Sequence, residues 1–132
     1  MINKIGHIGI FVTNIESAVN RFCLVFDLPL PPINVVSERN MKVAVVQLGK
    51  VGLEFVEDFS EQGSITRMVR EKGDFIHHFC LLADDIDAEI NELKRKGVKM
   101  TQSSPELGLR GKRTTFVASG ILSDIPIELS EP

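Results

Sequence analysis

Apolar residues recur along this chain with two periods, and the order in which the periods appear is itself repeated. From His7 the run HIGIFV is strand-like, and Thr13 and Asn14 then supply helix N-cap side chains. Ile15, Ala18, Val19 and Phe22 follow at helical spacing, the stripe of a helix with one packed face. Thr13 and Glu16 have the three-residue offset of a capping box. From His78 the same signals return: HFCLLA, then Asp84 and Asp85 as caps, then Ile86, Ile90 and Leu93 on one face, with Gly97 placed to end the helix. Residues 42–46 and 113–117 are matching β-rich runs. Each leads through a glycine-containing turn to a strand with a central glutamate, GLEFVE and PIELSE. The pattern therefore predicts two βαβββ units, residues 4–58 and 74–132, joined by a short helix over 65–71 that Ser64 would cap. The expected fold class is α+β, with the two βαβββ repeats forming a curved mixed sheet around one cleft.

Composition narrows the class. A length of 132 residues suits a single domain, 1–132, with one hydrophobic core, and is short for two independent domains. Hydrophobic residues at 43% and charged residues at 25% exclude a disordered chain. A net charge of −3 offers no footprint for a polyanion, so nucleic acid is excluded as a partner. No apolar run is long enough for a membrane span, and Met1-Ile2-Asn3-Lys4 lacks the apolar core of a signal peptide, which predicts a cytoplasmic protein. Cys23 and Cys80 lie in apolar segments without a CxxC motif and read as reduced packing residues.

A single strand histidine is most often a packing residue. Here one imidazole and one carboxylate recur at matching places in both halves: His7 with Glu54, and His78 with Glu128. A pseudo-twofold arrangement would bring all four together. Two histidines and two carboxylates suit one first-row divalent ion, and the two negative charges would make a partly buried ion tolerable. His77 and His78 cannot both point inward from one strand; the offsets to the following helix match those from His7 only when counted from His78. Arg110, Lys112 and Arg113 form a basic cluster in GLRGKR, whereas Lys94-Arg95-Lys96 reads as the solvated face of its helix, and Arg67 and Arg70 are open to either reading.

These segments resemble the vicinal oxygen chelate (glyoxalase/bleomycin-resistance) superfamily, and within it the methylmalonyl-CoA epimerase-like branch. HIGIFVTNIESAVNRF is similar to that branch's opening strand and helix, KVAVVQLGKVGLEFVED to its middle hairpin, and GSITRMVREKGDFIHHFCLLADDID to the segment leading to its second metal-binding histidine. GLRGKRTTF and IELSEP are similar to its late glycine-containing loop and its closing motif. Two features differ: where the branch has His-Pro after the phenylalanine matching Phe116 this chain has Ala118-Ser119, and where it has Gly-Gly it has Ser123-Asp124.

The resemblance implies that His7, Glu54, His78 and Glu128 hold one divalent metal ion, drawn from cobalt, nickel, zinc, manganese and iron. It implies metal-dependent proton transfer next to a carbonyl, with epimerisation of methylmalonyl-CoA or a similar acyl-CoA as the first expectation. Glu128 and Glu54 would be the catalytic base and acid on opposite faces of the substrate, with Glu128 the first choice as base. Arg110, Lys112 and Arg113 would meet the phosphates of a CoA thioester. The alternatives are lactoylglutathione lyase chemistry of the glyoxalase I type, and a non-catalytic small-molecule-binding protein. Relatives in the superfamily are commonly dimers, so a homodimer is the expected assembly.

Overall fold

The computed structural model describes residues 1–118 and 120–132, so Ser119 of the Ala118-Ser119 departure lies outside the described residues. The elements follow the predicted order twice. The first series is β1 (Ile2–Phe11), α1 (Ile15–Val25), β2 (Asn34–Val36), a 3-10 turn (Ser37–Arg39), β3 (Met41–Leu48) and β4 (Val51–Asp58). A connecting helix, α2 (Ser64–Lys72), leads to β5 (Phe75–Ala83), α3 (Ile86–Arg95), β6 (Glu106–Leu107), β7 (Arg113–Val117) and β8 (Ile127–Ser130). The fold is α+β with a mixed sheet: β5 and β8 pair in parallel, while β2 with β3, β3 with β4, β6 with β7 and β7 with β8 pair antiparallel.

The chain divides into two compact units whose boundary is not that of the sequence repeats. One is continuous, Gly9–His77; the other is split, combining Met1–Ile8 with His78–Pro132. Strands β1 and β5 pass through both. In the continuous unit Ile15, Ala18, Val19 and Cys23 of α1 pack on Ala44, Val46 and Phe55 of β3 and β4. In the split unit Ile86 and Ile90 of α3 pack on Ala83, Val117, Ile127 and Leu129. The helical stripes read from the sequence are the ones that bury.

The helix ends refine the reading. Asn14 caps α1 by accepting from the Ser17 amide at 2.9 Å, and Asp85 caps α3 by accepting from the Ala88 amide at 3.1 Å. The expected Thr13–Glu16 capping box does not form. Thr13 instead donates its amide and hydroxyl to Asp74, the Glu57 carboxylate takes the first helical amide, that of Ile15, at 2.8 Å, and Glu16 pairs with Lys42 at 2.9 Å. Carboxylates distant in sequence have taken the roles that a local pattern assigned to neighbours. Ser64 likewise is not the cap of α2 but its first residue, with Gly63 at the N-cap and no side-chain cap bond. Helix α3 ends as expected at Gly97, with φ of 84°: Gly97 donates to the Lys94 carbonyl and Val98 to the Leu93 carbonyl, a Schellman pair. The basic run beyond Leu93 is exposed, and Arg95 pairs with Glu92 on that face.

Arg113 opens β7 and ties three parts of the split unit together. Its guanidinium reaches Asp87 of α3 at 2.9 Å and Glu131 after β8 at 3.0 Å, and its own amide donates to Glu131 at 3.0 Å. The hydrogen bond from the Arg113 side chain holds the Asp87 carboxyl below its usual range, and the Arg113 backbone amide, followed by its side chain, does the same for Glu131. A carboxyl lowered by folding stabilises the folded state above the unfolded carboxylate range and loses that contribution as protons reach it. Stability should therefore fall from about pH 5 towards about pH 3. Both carboxylates are partly exposed, so the effect is modest and weakens in salt. Thermal melts across that range should show a shallower pH slope for Arg113→Gln than for the parent. Identical slopes would mean that the triad contributes nothing to acid sensitivity.

Candidate metal centre

Strand geometry in the split unit delivers three of the four predicted ligands to one point. His7 lies on β1, His78 on β5 and Glu128 on β8, and all three are buried, at 4%, 5% and 8% exposure. Burial of this degree is uncommon for such residues unless something compensates them. Gly6, next to His7, allows the close approach of β1: a Cβ at that position would stand 2.7 Å from Leu82 Cδ2 on β5. Across the next pair, Cys80 faces Glu128 in the parallel register of β5 and β8, and Phe116 of β7 faces Glu128 from the other side. The Phe116 ring stands edge-on to His78, with centroids 5.2 Å apart, and fixes that imidazole. His77 points away, half-buried and stacked on Phe11 at 4.1 Å, as the register argument requires.

The functional atoms converge. His7 Nε2 is 3.3 Å from His78 Nε2 and 3.0 Å from Glu128 Oε1, and His78 Nε2 is 3.7 Å from the same oxygen. Ligand bonds of about 2.0–2.2 Å to a common ion place neighbouring donor atoms about 3.0–3.6 Å apart. The cluster therefore has close to the edge lengths of a coordination polyhedron. Among the described residues, Glu128 Oε1 is the buried side-chain oxygen or nitrogen left without a hydrogen bond; the 3.0 Å approach of His7 is an ion-pair distance, not an aligned hydrogen bond. A desolvated carboxylate oxygen left in this way is costly, and a cation would satisfy it. The donor set thus fits a divalent ion.

Opposing influences act on Glu128. Burial, the strongest, pushes its carboxyl up; the neighbouring His7, the charge of His78 and the Cys80 thiol draw it down, and the net position is below the usual carboxylate range. The other predicted carboxylate, Glu54, belongs to the continuous unit. There β4 sets it opposite Val45 of β3, buried at 7% exposure.

The basic cluster separates into different roles. Arg110 sends its guanidinium to His7 Nδ1 at 2.9 Å. Arginine only donates, so Nδ1 accepts and Nε2 is the nitrogen that His7 turns to the cluster. Lys112 is exposed. Arg113, grouped with them by sequence as a phosphate ligand, is instead engaged by Asp87 and Glu131.

One residue beside the centre was not among the candidates read from the sequence. Cys80 is fully buried, and its sulfur, a His7 ring nitrogen and a Glu128 oxygen all lie within 4.8 Å of one another. The signal was available: Cys80 follows His78 by two residues on one strand, which puts both side chains on the same face.

Comparison with known proteins agrees with this architecture. An uncharacterized protein of Bacillus subtilis (strain 168) is 28% identical over 130 residues, covering 98% of this chain and 93% of that protein. A mitochondrial methylmalonyl-CoA epimerase of Dictyostelium discoideum is 26% identical over 132 residues, covering 98% of this chain and 79% of its own length. Among solved structures, methylmalonyl-CoA epimerase from Mycobacterium tuberculosis superposes with a TM-score of 0.88 at 20% identity, over 99% of this chain and 89% of that one, a likeness of fold. The family model that matches residues 6–116 is that of the Glyoxalase/Bleomycin resistance protein/Dioxygenase superfamily, and this chain belongs to that superfamily.

Proposed function

We propose that this protein epimerises methylmalonyl-CoA or a closely related acyl-CoA by moving a proton at the carbon beside the thioester carbonyl. The observation that carries this reading is the buried convergence of His7, His78 and Glu128, with Glu128 Oε1 unsatisfied. We add Glu54 to the same set, because it holds in the first repeat the place that Glu128 holds in the second. These four side chains would hold one divalent ion, drawn from cobalt, nickel, zinc, manganese and iron. When bound, that ion supplies positive charge to the carbonyl oxygen on which negative charge develops.

The remaining work falls to the chain itself. Glu128 takes the proton, and Glu54 returns one to the opposite face, so that the centre inverts. Phe116 restrains His78 and thereby the wall beside Glu128. A neutral imidazole has one ring lone pair to offer, so once His7 Nε2 serves as a ligand, Nδ1 carries the proton and Arg110 must leave it. Released from His7, Arg110 would turn to an anionic group of the substrate, with Lys112 near it in the same loop.

The test is turnover in deuterated water. Purified protein supplied with cobalt, nickel, manganese or zinc should exchange the α-proton of methylmalonyl-CoA for deuterium and interconvert its epimers, read by proton resonance and mass. Turnover of methylglyoxal with glutathione, and none of the acyl-CoA, would replace this assignment with glyoxalase I chemistry. Turnover of neither, with ligand binding unchanged in Glu128→Gln, would leave a binding protein.

A further inference from the structure

Cys80 belongs to the chemistry of the centre as well as to the core. On β5 it stands two residues beyond His78, and in the parallel ladder it is the direct partner of Glu128 on β8. Its sulfur shares a sphere of 4.8 Å with donor atoms of His7 and Glu128, and it is fully buried. The Cys80 sulfur lies 3.7 Å from the Leu81 carbonyl oxygen, a weak contact of its S–H. The acceptor on its other side is the carboxylate whose Oε1 has no hydrogen bond. Nitrogen, oxygen and sulfur donors are thus gathered in one dry cluster. Hard ions such as Mn²⁺ prefer carboxylate and imidazole, whereas softer ions gain most from thiolate.

We propose that Cys80 is a conditional metal ligand, giving the centre a second coordination mode, His7, Cys80 and Glu128, that thiophilic divalent ions adopt. In that mode the Cys80 S–H bond breaks as the metal–sulfur bond forms. The proton passes to solvent, one per ion bound, and no electron is transferred. The centre accordingly discriminates among ions by softness and binds Cd²⁺ or Zn²⁺ with a different donor set from Mn²⁺. This inference rests on the metal-centre part of the proposed function.

The probe is cadmium chloride added to purified metal-free protein, followed by near-ultraviolet absorption and by calorimetry, with manganese chloride as the hard-ion control. The parent protein should develop a thiolate-to-cadmium charge-transfer band that Cys80→Ala lacks and Cys23→Ala retains. Cys80→Ala should weaken cadmium binding by about tenfold or more, about 1.4 kcal/mol, with manganese binding unchanged. Cys80→Ser, which keeps the volume and a polar atom, should behave like Cys80→Ala; its circular dichroism and thermal melt establish that the fold is intact. Manganese binding without a cadmium–thiolate band, or equal cadmium affinity in parent and Cys80→Ala, overturns the role of Cys80 alone. Failure of either ion to bind the parent overturns the metal centre with it.

Discussion

Glu128→Gln should lower the epimerisation rate by about 10²–10⁴-fold, the range expected when a positioned proton-transfer group is lost. The substitution keeps the shape of the side chain and its place between Cys80 and Phe116, so the fold should persist. What it removes is charge and basicity. The amide cannot take a proton from carbon, and the oxygen that lacks a hydrogen bond becomes part of a neutral group. Two readouts separate these losses. Metal content of the purified variant reports ligation, and deuterium exchange at the substrate α-carbon under saturating metal reports the base. A variant that holds metal and still exchanges at the parental rate would remove Glu128 from the base role and transfer that role to Glu54.

Leu129→Ala should cost about 2–5 kcal/mol of folding stability, measured by urea unfolding. Leu129 is 1% exposed and packs with Ile86, Val117 and Ile127 in the core of the split unit. The cavity left by its truncation lies on the other face of β8 from Glu128, one residue away. Because a small domain has about 5–15 kcal/mol in hand, the variant should still fold, and activity measured well below its midpoint isolates the effect on the site. We expect metal affinity and rate to fall together, since both depend on how firmly β8 is held. A loss below about 1 kcal/mol would indicate that the neighbouring side chains close over the gap.

Much of this architecture can be read from residue order, and the parts that cannot share one cause. The helices announce themselves because Ile15, Ala18 and Val19, and later Ile86 and Ile90, repeat at a period that only a helix satisfies. The choice of His78 over His77 follows from counting along a strand. Caps were legible where the partner is local, as for Asn14, Asp85 and Gly97. They were not legible where the partner comes from elsewhere: nothing near Thr13 reveals that Asp74 will accept its protons, and nothing near Ile15 points to Glu57. Arg113 shows the same limit, since a basic cluster in sequence looks alike whether its members await an anion or are already held by Asp87 and Glu131. Cys80 was passed over for another reason: burial alone explains a cysteine, and its place opposite Glu128 emerges only when β5 and β8 pair.

The split unit has a consequence for how the chain is made. Its opening segment, Met1–Ile8, is synthesised before the continuous unit, and the rest of it, His78–Pro132, after that unit. The continuous unit, Gly9–His77, can close on itself while translation is still under way, but His7 must wait for His78, 71 residues downstream, and for Glu128 beyond it. The closure entropy of so long a loop is tolerable, because that cost grows only logarithmically with length. The delay is the greater burden. During that interval the split unit is incomplete, and the cluster that unites His7, His78 and Glu128 forms only once β8 has been made.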